Sequence, residues 1–205
     1  MARRFGRSIL FTLFVGSFWM APPLGAMALK RPAIQLTLVI RNYARLPAPV
    51  LESAKAHVVE TFAAIDVHVG FLDCDIKDSE HEICTSDGPE NGPRLNLHLE
   101  PHSFLLQLVD AMGVAQENNQ TEYVFYDRIE STVREFETES QMNASLSLML
   151  ACIISHEVGH LLLRTKLDHR AGTIMRPTWG VRDIREIEVR GVTIGDDQAS
   201  PCEGL

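Results

Sequence analysis

The stretch 143–163 constrains this chain more than any other. Leu146, Met149, Leu150, Ile153, Ile154, Val158, Leu161 and Leu162 make it apolar on nearly every side, with no proline to interrupt it. A helix that is apolar all round has to be surrounded by other elements, so the fold needs at least one more layer to enclose it. Asn143 is the expected N-cap. Within this apolar run stand three polar side chains, His156, Glu157 and His160. Burying them for ordinary hydrogen bonding would carry a real desolvation cost.

Their spacing suggests a different use. Side chains four apart lie one above the other on a helix face, so both imidazoles reach one ion while Glu157 is offset beside them. This is the HExxH arrangement of zinc hydrolases, here HisGluValGlyHis. Catalytic zinc takes three protein ligands and leaves a fourth position open. His169 is the expected third ligand by donor type and reach, with Asp168 next. Asp183, Glu186 and Glu188 are further carboxylates downstream. Zinc is the expected cofactor.

Upstream, the residues read as a small α+β domain. Residues 34–40 alternate and are rich in β-branched residues, as a strand requires. Pro47 and Pro49 open a helix carrying Leu51, Ala54, Val58, Phe62 and Ile65 at spacings of three and four. Residues 67–72 form a second strand, and a strand–helix–strand unit implies that the two strands are parallel. Residues 73–94, with Gly88-Pro89 and Gly92-Pro93, read as a long surface loop. Further elements are a strand at 95–99, a short helix at 103–111, a strand at 123–126 and a polar helix or loop through Glu139. The tail after Gly191 is polar and reads as poorly ordered. The expected architecture is a single domain with a mixed sheet and a long active-site helix.

The first 28 residues belong to another class. Arg3, Arg4 and Arg7 precede an apolar run over 9–21, and Ala26-Met27-Ala28 follows as a small-x-small cleavage site. The pattern is that of a secretory signal peptide, and its apolar run falls short of the roughly 20 residues that span a bilayer. The expected division is therefore a signal peptide at 1–28 and a hydrolase domain at 29–205, secreted or periplasmic, with no membrane span after cleavage. Removing Arg3, Arg4 and Arg7 takes Lys+Arg from 19 to 16 against 27 Asp+Glu, so the net charge of −8 becomes −11 in the mature chain. With no basic cluster beyond the N-terminus, nucleic acid is excluded as a partner. Outside the cytoplasm disulfides are permitted, and Cys74 and Cys84 are the expected pair. Cys152 reads as a buried hydrophobe, and Cys202 has no assigned role. His57, His68, His81 and His98 read as solvent-facing.

HisGluValGlyHis, His169 and Gly172-Thr173-Ile174-Met175-Arg176-Pro177 together resemble the metzincin clan of zinc peptidases. The likeness extends over residues 34–179 to small secreted bacterial zinc peptidases, through Leu72-Asp73-Cys74, residues 124–128, Ile174-Met175-Arg176 and Trp179. The resemblance implies a metal-dependent hydrolase of peptide or protein substrates, with Met175 in a turn beneath the metal. The chain departs from the clan's signature at Leu163 and Lys166, which occupy the places of its glycine and third ligand. Without that glycine, the helix is expected to run about one turn further. Glu157 is the expected general base, and Tyr126, His102 and Arg176 are candidate oxyanion donors. A non-catalytic secreted zinc-binding domain and a zinc amidase acting on cell-wall material are the alternatives.

Overall fold

A parallel β-strand pair needs a crossover, and the chain supplies one at once. Strand β1 (Ile34–Asn42) leads into helix α1 (Ala48–Ala63), which returns to strand β2 (Val67–Cys74). Pro47 caps α1, and Pro49 follows in the first turn, where a missing N–H costs nothing. Asp66 adopts φ 58°, a left-handed conformation that Asp tolerates, and this reverses the chain into β2. The structure, a computed structural model, describes residues 34–74, 84, 92–104, 110–135, 137–163, 173–176, 179–180, 183, 185–186, 192–195 and 198–200.

The remaining elements are β3 (Arg94–Glu100), β4 (Gly113–Gln116), β5 (Thr121–Phe125), α2 (Tyr126–Arg134), α3 (Met142–Leu163), β6 (Val192–Gly195) and β7 (Gln198–Ser200). Five strands form one sheet in the order β2-β1-β3-β5-β4. Strand β1 is parallel to β2 and β3, and β3 is parallel to β5, whereas β4 runs antiparallel to β5 at the sheet's edge. The architecture is thus the expected α+β single domain with a mixed sheet.

Alternation decides which face carries the helices. Leu36, Leu38 and Ile40 of β1 and Leu95, Leu97 and Leu99 of β3 are buried in one cluster with Ala54, Val58 and Phe62 of α1 and Met149, Ile153 and Ile154 of α3. Helix α1 packs on α3 and β2, and α3 lies over β4 and β5. Lys55 fastens α1 to β2, its Nζ standing 2.7 Å from Asp73 and 2.8 Å from Glu52. Helix α3 is long and apolar enough to cross a membrane, yet 89% of its apolar window is buried inside the fold. Its apolarity serves the core, as a helix apolar all round requires.

Several boundaries differ from those read in the sequence. Helix α3 starts at Met142, so Asn143 lies inside its first turn rather than capping it. Strand β2 runs on to Cys74, because Ile40 and Arg41 of β1 still pair with Asp73 and Cys74. Cys74 forms the expected disulfide with Cys84, with Cα atoms 6.0 Å apart. Strand β5 ends at Phe125, and Tyr126 opens α2. Strand β4 was not expected. The tail is not wholly irregular either, for β6 and β7 pair antiparallel. The run Val192-Thr193-Ile194 followed by Gly195-Asp196 is itself a strand-and-turn pattern. Of the expected 103–111 helix, Ser103 and Phe104 are not helical and 105–109 lie outside the described residues. The expected signal peptide and its boundary at residue 28, most of the 73–94 loop, His81 and Cys202 also lie outside them.

Candidate metal centre

Helix α3 carries His156 and His160 on one face, one turn apart. Their Nε2 atoms are 3.1 Å from each other, and the rings meet nearly at right angles with centroids 4.7 Å apart. Two nitrogens held by one tetrahedral zinc at about 2.0–2.1 Å would stand roughly 3.3 Å apart. The two donors are therefore placed to share an ion. His156 is buried, and its Nδ1 lies 2.8 Å from the carbonyl oxygen of Ile174. A carbonyl only accepts, so Nδ1 carries the proton and the Nε2 lone pair faces His160. Holding an imidazole in its metal-binding tautomer through a backbone carbonyl is a recurrent outer-sphere device.

The same turn that supplies this carbonyl supports the helix from below. Thr173, Ile174, Met175 and Arg176 are all buried. The N–H groups of Met175 and Arg176 donate to the hydroxyl and the carbonyl of Thr173, at 3.2 Å each. A Cβ on Gly159 would lie 2.8 Å from the Met175 sulfur, so the methionine occupies the space that Gly159 leaves open between the two histidines. Met175 thus lies in a turn packed against the helix that carries the two histidines. Gly159 itself was overlooked in the sequence, although a glycine in mid-helix costs about 1 kcal/mol relative to alanine and so asks for a packing reason.

Glu157 points toward the sheet's edge. A Cβ on Gly113 would come within 2.8 Å of its Oε1 and 2.9 Å of its Cγ, so β4 can pass over the carboxyl only because residue 113 is glycine. The N–H of Ala115, also on β4, donates to the carboxyl. Burial pushes the Glu157 pKa up to about 8, with the Ala115 hydrogen bond pulling the other way. Neither contact could be read in the sequence, because nothing local marks 113–116 as a strand.

The other candidates fare differently. His169 and Asp168 lie outside the described residues. Among the described residues, no third His, Cys, Asp or Glu joins His156 and His160 in a cluster. Leu163, at the place of the clan's glycine, is still helical, and the residues that follow it lie outside the described ones. Arg176 is committed elsewhere: it pairs with Asp183, stands 4.0 Å from Glu186 and lies over the Trp179 ring at 5.0 Å. That engagement also accounts for Asp183 and Glu186. His102 is exposed and lies 3.4 Å from Asp127, and Tyr126 packs half-buried against the core. His68 is exposed, as expected, and Cys152 is buried. His98 is not solvent-facing: it lies between Tyr43 and Tyr123, ring edges to faces, at 5.4 and 5.0 Å.

Comparison with known proteins bears on the scaffold around these residues. The sequence matches no protein-family model, and no curated protein is significantly similar to it. Solved structures similar in fold include these two. One is a zinc-dependent peptidase from Methanocorpusculum labreanum, with a TM-score of 0.53 and 15% identity over 73% of this chain and 92% of its own. The other is archaemetzincin from Methanopyrus kandleri, with a TM-score of 0.51 and 13% identity over 83% of this chain and 93% of its own. The chain shares its fold with these two proteins. At such low identity the likeness concerns the arrangement of strands and helices, and the chemistry has to be argued from the residues.

Proposed function

We propose that this chain is an exported zinc-dependent peptidase in which His156, His160 and His169 hold the metal and Glu157 is the general base. The observation that carries the reading is the pair of imidazole Nε2 atoms 3.1 Å apart on a buried helix, with the Glu157 carboxyl next in sequence and seated under an edge strand. The zinc-peptidase folds it resembles support the same chemistry, and the Cys74–Cys84 disulfide supports an oxidising compartment.

Zinc bound there supplies Lewis acidity toward a carbonyl oxygen and toward water. The chain's own residues supply the rest. Glu157 takes a proton from the attacking water onto its carboxylate and returns it to the departing amine. The Ala115 N–H fixes the carboxyl's direction, and the Ile174 carbonyl fixes the ring of His156. Met175 floors the site as a polarizable apolar wall. Strand β4 ends the sheet, so its outer edge offers backbone groups to an extended peptide beside Glu157.

The test is a digest of a peptide library by the purified mature protein, with and without chelator, alongside metal analysis. Stoichiometric zinc with chelator-sensitive cleavage is expected. The E157Q variant should keep its zinc and lose activity by about 100-fold or more, and H169A should lose the metal where D168A keeps it. Zinc binding without cleavage of any peptide would favour a non-catalytic zinc-binding domain, and cleavage confined to cell-wall amides would favour an amidase.

A further inference from the structure

Directly opposite Ala115, strand β5 carries Glu122. Opposed residues of an antiparallel pair send their side chains off the same face, with Cβ atoms about 4.5–5.5 Å apart. Glu122 is also in register with Leu97, a core residue beneath the helices, so that face is the helix-bearing one. Glu157 descends onto it from α3 at Gly113, two residues along β4 from Ala115. Carboxyl groups from α3 and β5 therefore come together on the inner face of the sheet.

Glu122 is 0% exposed, and neither of its carboxyl oxygens has a hydrogen-bond partner. An ionised carboxylate held that way would cost several kcal/mol, a cost the group escapes by keeping its proton. Burial raises its pKa well above the usual carboxylate range, and the charge of Glu157 acts in the same direction. Its cross-strand neighbours Leu97 and Ala115 carry no charge to oppose this. A protonated carboxyl can donate as well as accept, whereas a carboxylate only accepts.

We propose that Glu122 is a positioning residue of the site: an uncharged carboxylic acid whose O–H is donated toward Glu157 through one buried water. Glu157 is then held from two sides, by the Ala115 N–H and by Glu122. The inference rests on the reading of Glu157 as general base. It requires a neutral donor at position 122, which an amide supplies and a hydrocarbon does not.

Two readouts on the intact protein test it. The first is the carbonyl stretch of a protonated carboxylic acid in the infrared spectrum. Wild type should show a band that E122Q lacks, and that band should shift in E157Q because its acceptor has changed. No band assignable to Glu122, or a band indifferent to E157Q, would overturn the proposal whether or not the protein cleaves peptides. The second is the split between kcat and KM. E122L should lose about tenfold or more in kcat with KM and zinc content kept, and E122Q should restore most of that loss. An E122Q variant as impaired as E122L also overturns the proposal. Should E122L fail to fold, the infrared comparison of wild type, E122Q and E157Q decides alone. Absence of any chelator-sensitive cleavage by wild type counts instead against the peptidase reading.

Discussion

The sulfur of Met175 occupies the place a side chain on Gly159 would take, 2.8 Å from where its Cβ would be. One turn of α3 is thereby keyed into the 173–176 turn between the two histidines. The same turn orients His156 through the Ile174 carbonyl, so packing and ligand geometry depend on a single contact surface.

G159A should therefore disturb the metal site despite improving local helix propensity. Alanine gains about 1 kcal/mol over glycine in a helix interior, whereas overpacking costs about 1–3 kcal/mol. Zinc affinity should fall about tenfold with the helical circular dichroism signal preserved. Because the clash is specific, M175A should relieve it. A double-mutant cycle on zinc affinity should give a coupling of about 1–2 kcal/mol between the two positions, and an additive pair would show that the two do not meet.

G113A probes the other side of the helix. A methyl there comes within 2.9 Å of both the Glu157 Cγ and the Ile153 Cγ2, so neither neighbour can yield without moving the other. The expected result is a fall in kcat of about 10- to 100-fold, the scale of a displacement near 1 Å, with zinc content unchanged. Single-turnover rates and metal analysis on the same preparation check it. Loss of zinc in step with activity would place the effect on the ligands instead.

The long helix and its three polar residues could be read in advance because both signals are local: apolar periodicity over many turns, and a fixed i, i+4 spacing. The β1–α1–β2 unit could be read for the same reason. Strand β4 could not, since Gly113-Val114-Ala115-Gln116 lacks both length and alternation and becomes a strand only against β5. Gln120, at φ 51°, helps turn the chain between them, and no glycine marks that position. What β4 does to Glu157, and the placing of Glu122 opposite Ala115, are non-local and follow from pairing register alone. His98 was misplaced because alternation tells which face a residue takes, but not that Tyr43 and Tyr123 cover it on that face.

That covering has a consequence for pH. Burial first, and the Arg41 charge second, lower the His98 pKa to about 4. Glu100 stands 3.8 Å away but is itself pushed up by burial, and the ring stays neutral at neutral pH. The unfolded chain binds the His98 proton at about pH 6.5, whereas the folded one resists until about pH 4. Between those values the unfolded state holds more protons, so stability falls as pH drops through the window. His98 should titrate near 4 by NMR. H98F, which keeps an aromatic ring between the tyrosines, should flatten the loss of stability between pH 6.5 and 4. An unchanged acid limb in H98F would assign the effect to other groups.

The disulfide braces the sheet face away from the helices. Cys74 ends β2 and Cys84 lies ten residues on, and both are buried with Val39 on the sheet face away from the helices. Arg41 reinforces the junction, donating to the Cys84 carbonyl at 3.3 Å and to Asn96 at 3.0 Å. Closing a loop of this length removes about 2–3 kcal/mol of unfolded-state entropy, so C74S/C84S should be destabilised by about that amount in urea. The site lies on the opposite face, over β4 and β5, and zinc affinity at low temperature should therefore stay within about twofold, as expected for independent sites. Urea midpoints and zinc titrations of the two proteins check both statements. A coupled loss of zinc binding would mean that the two faces of the sheet are not independent.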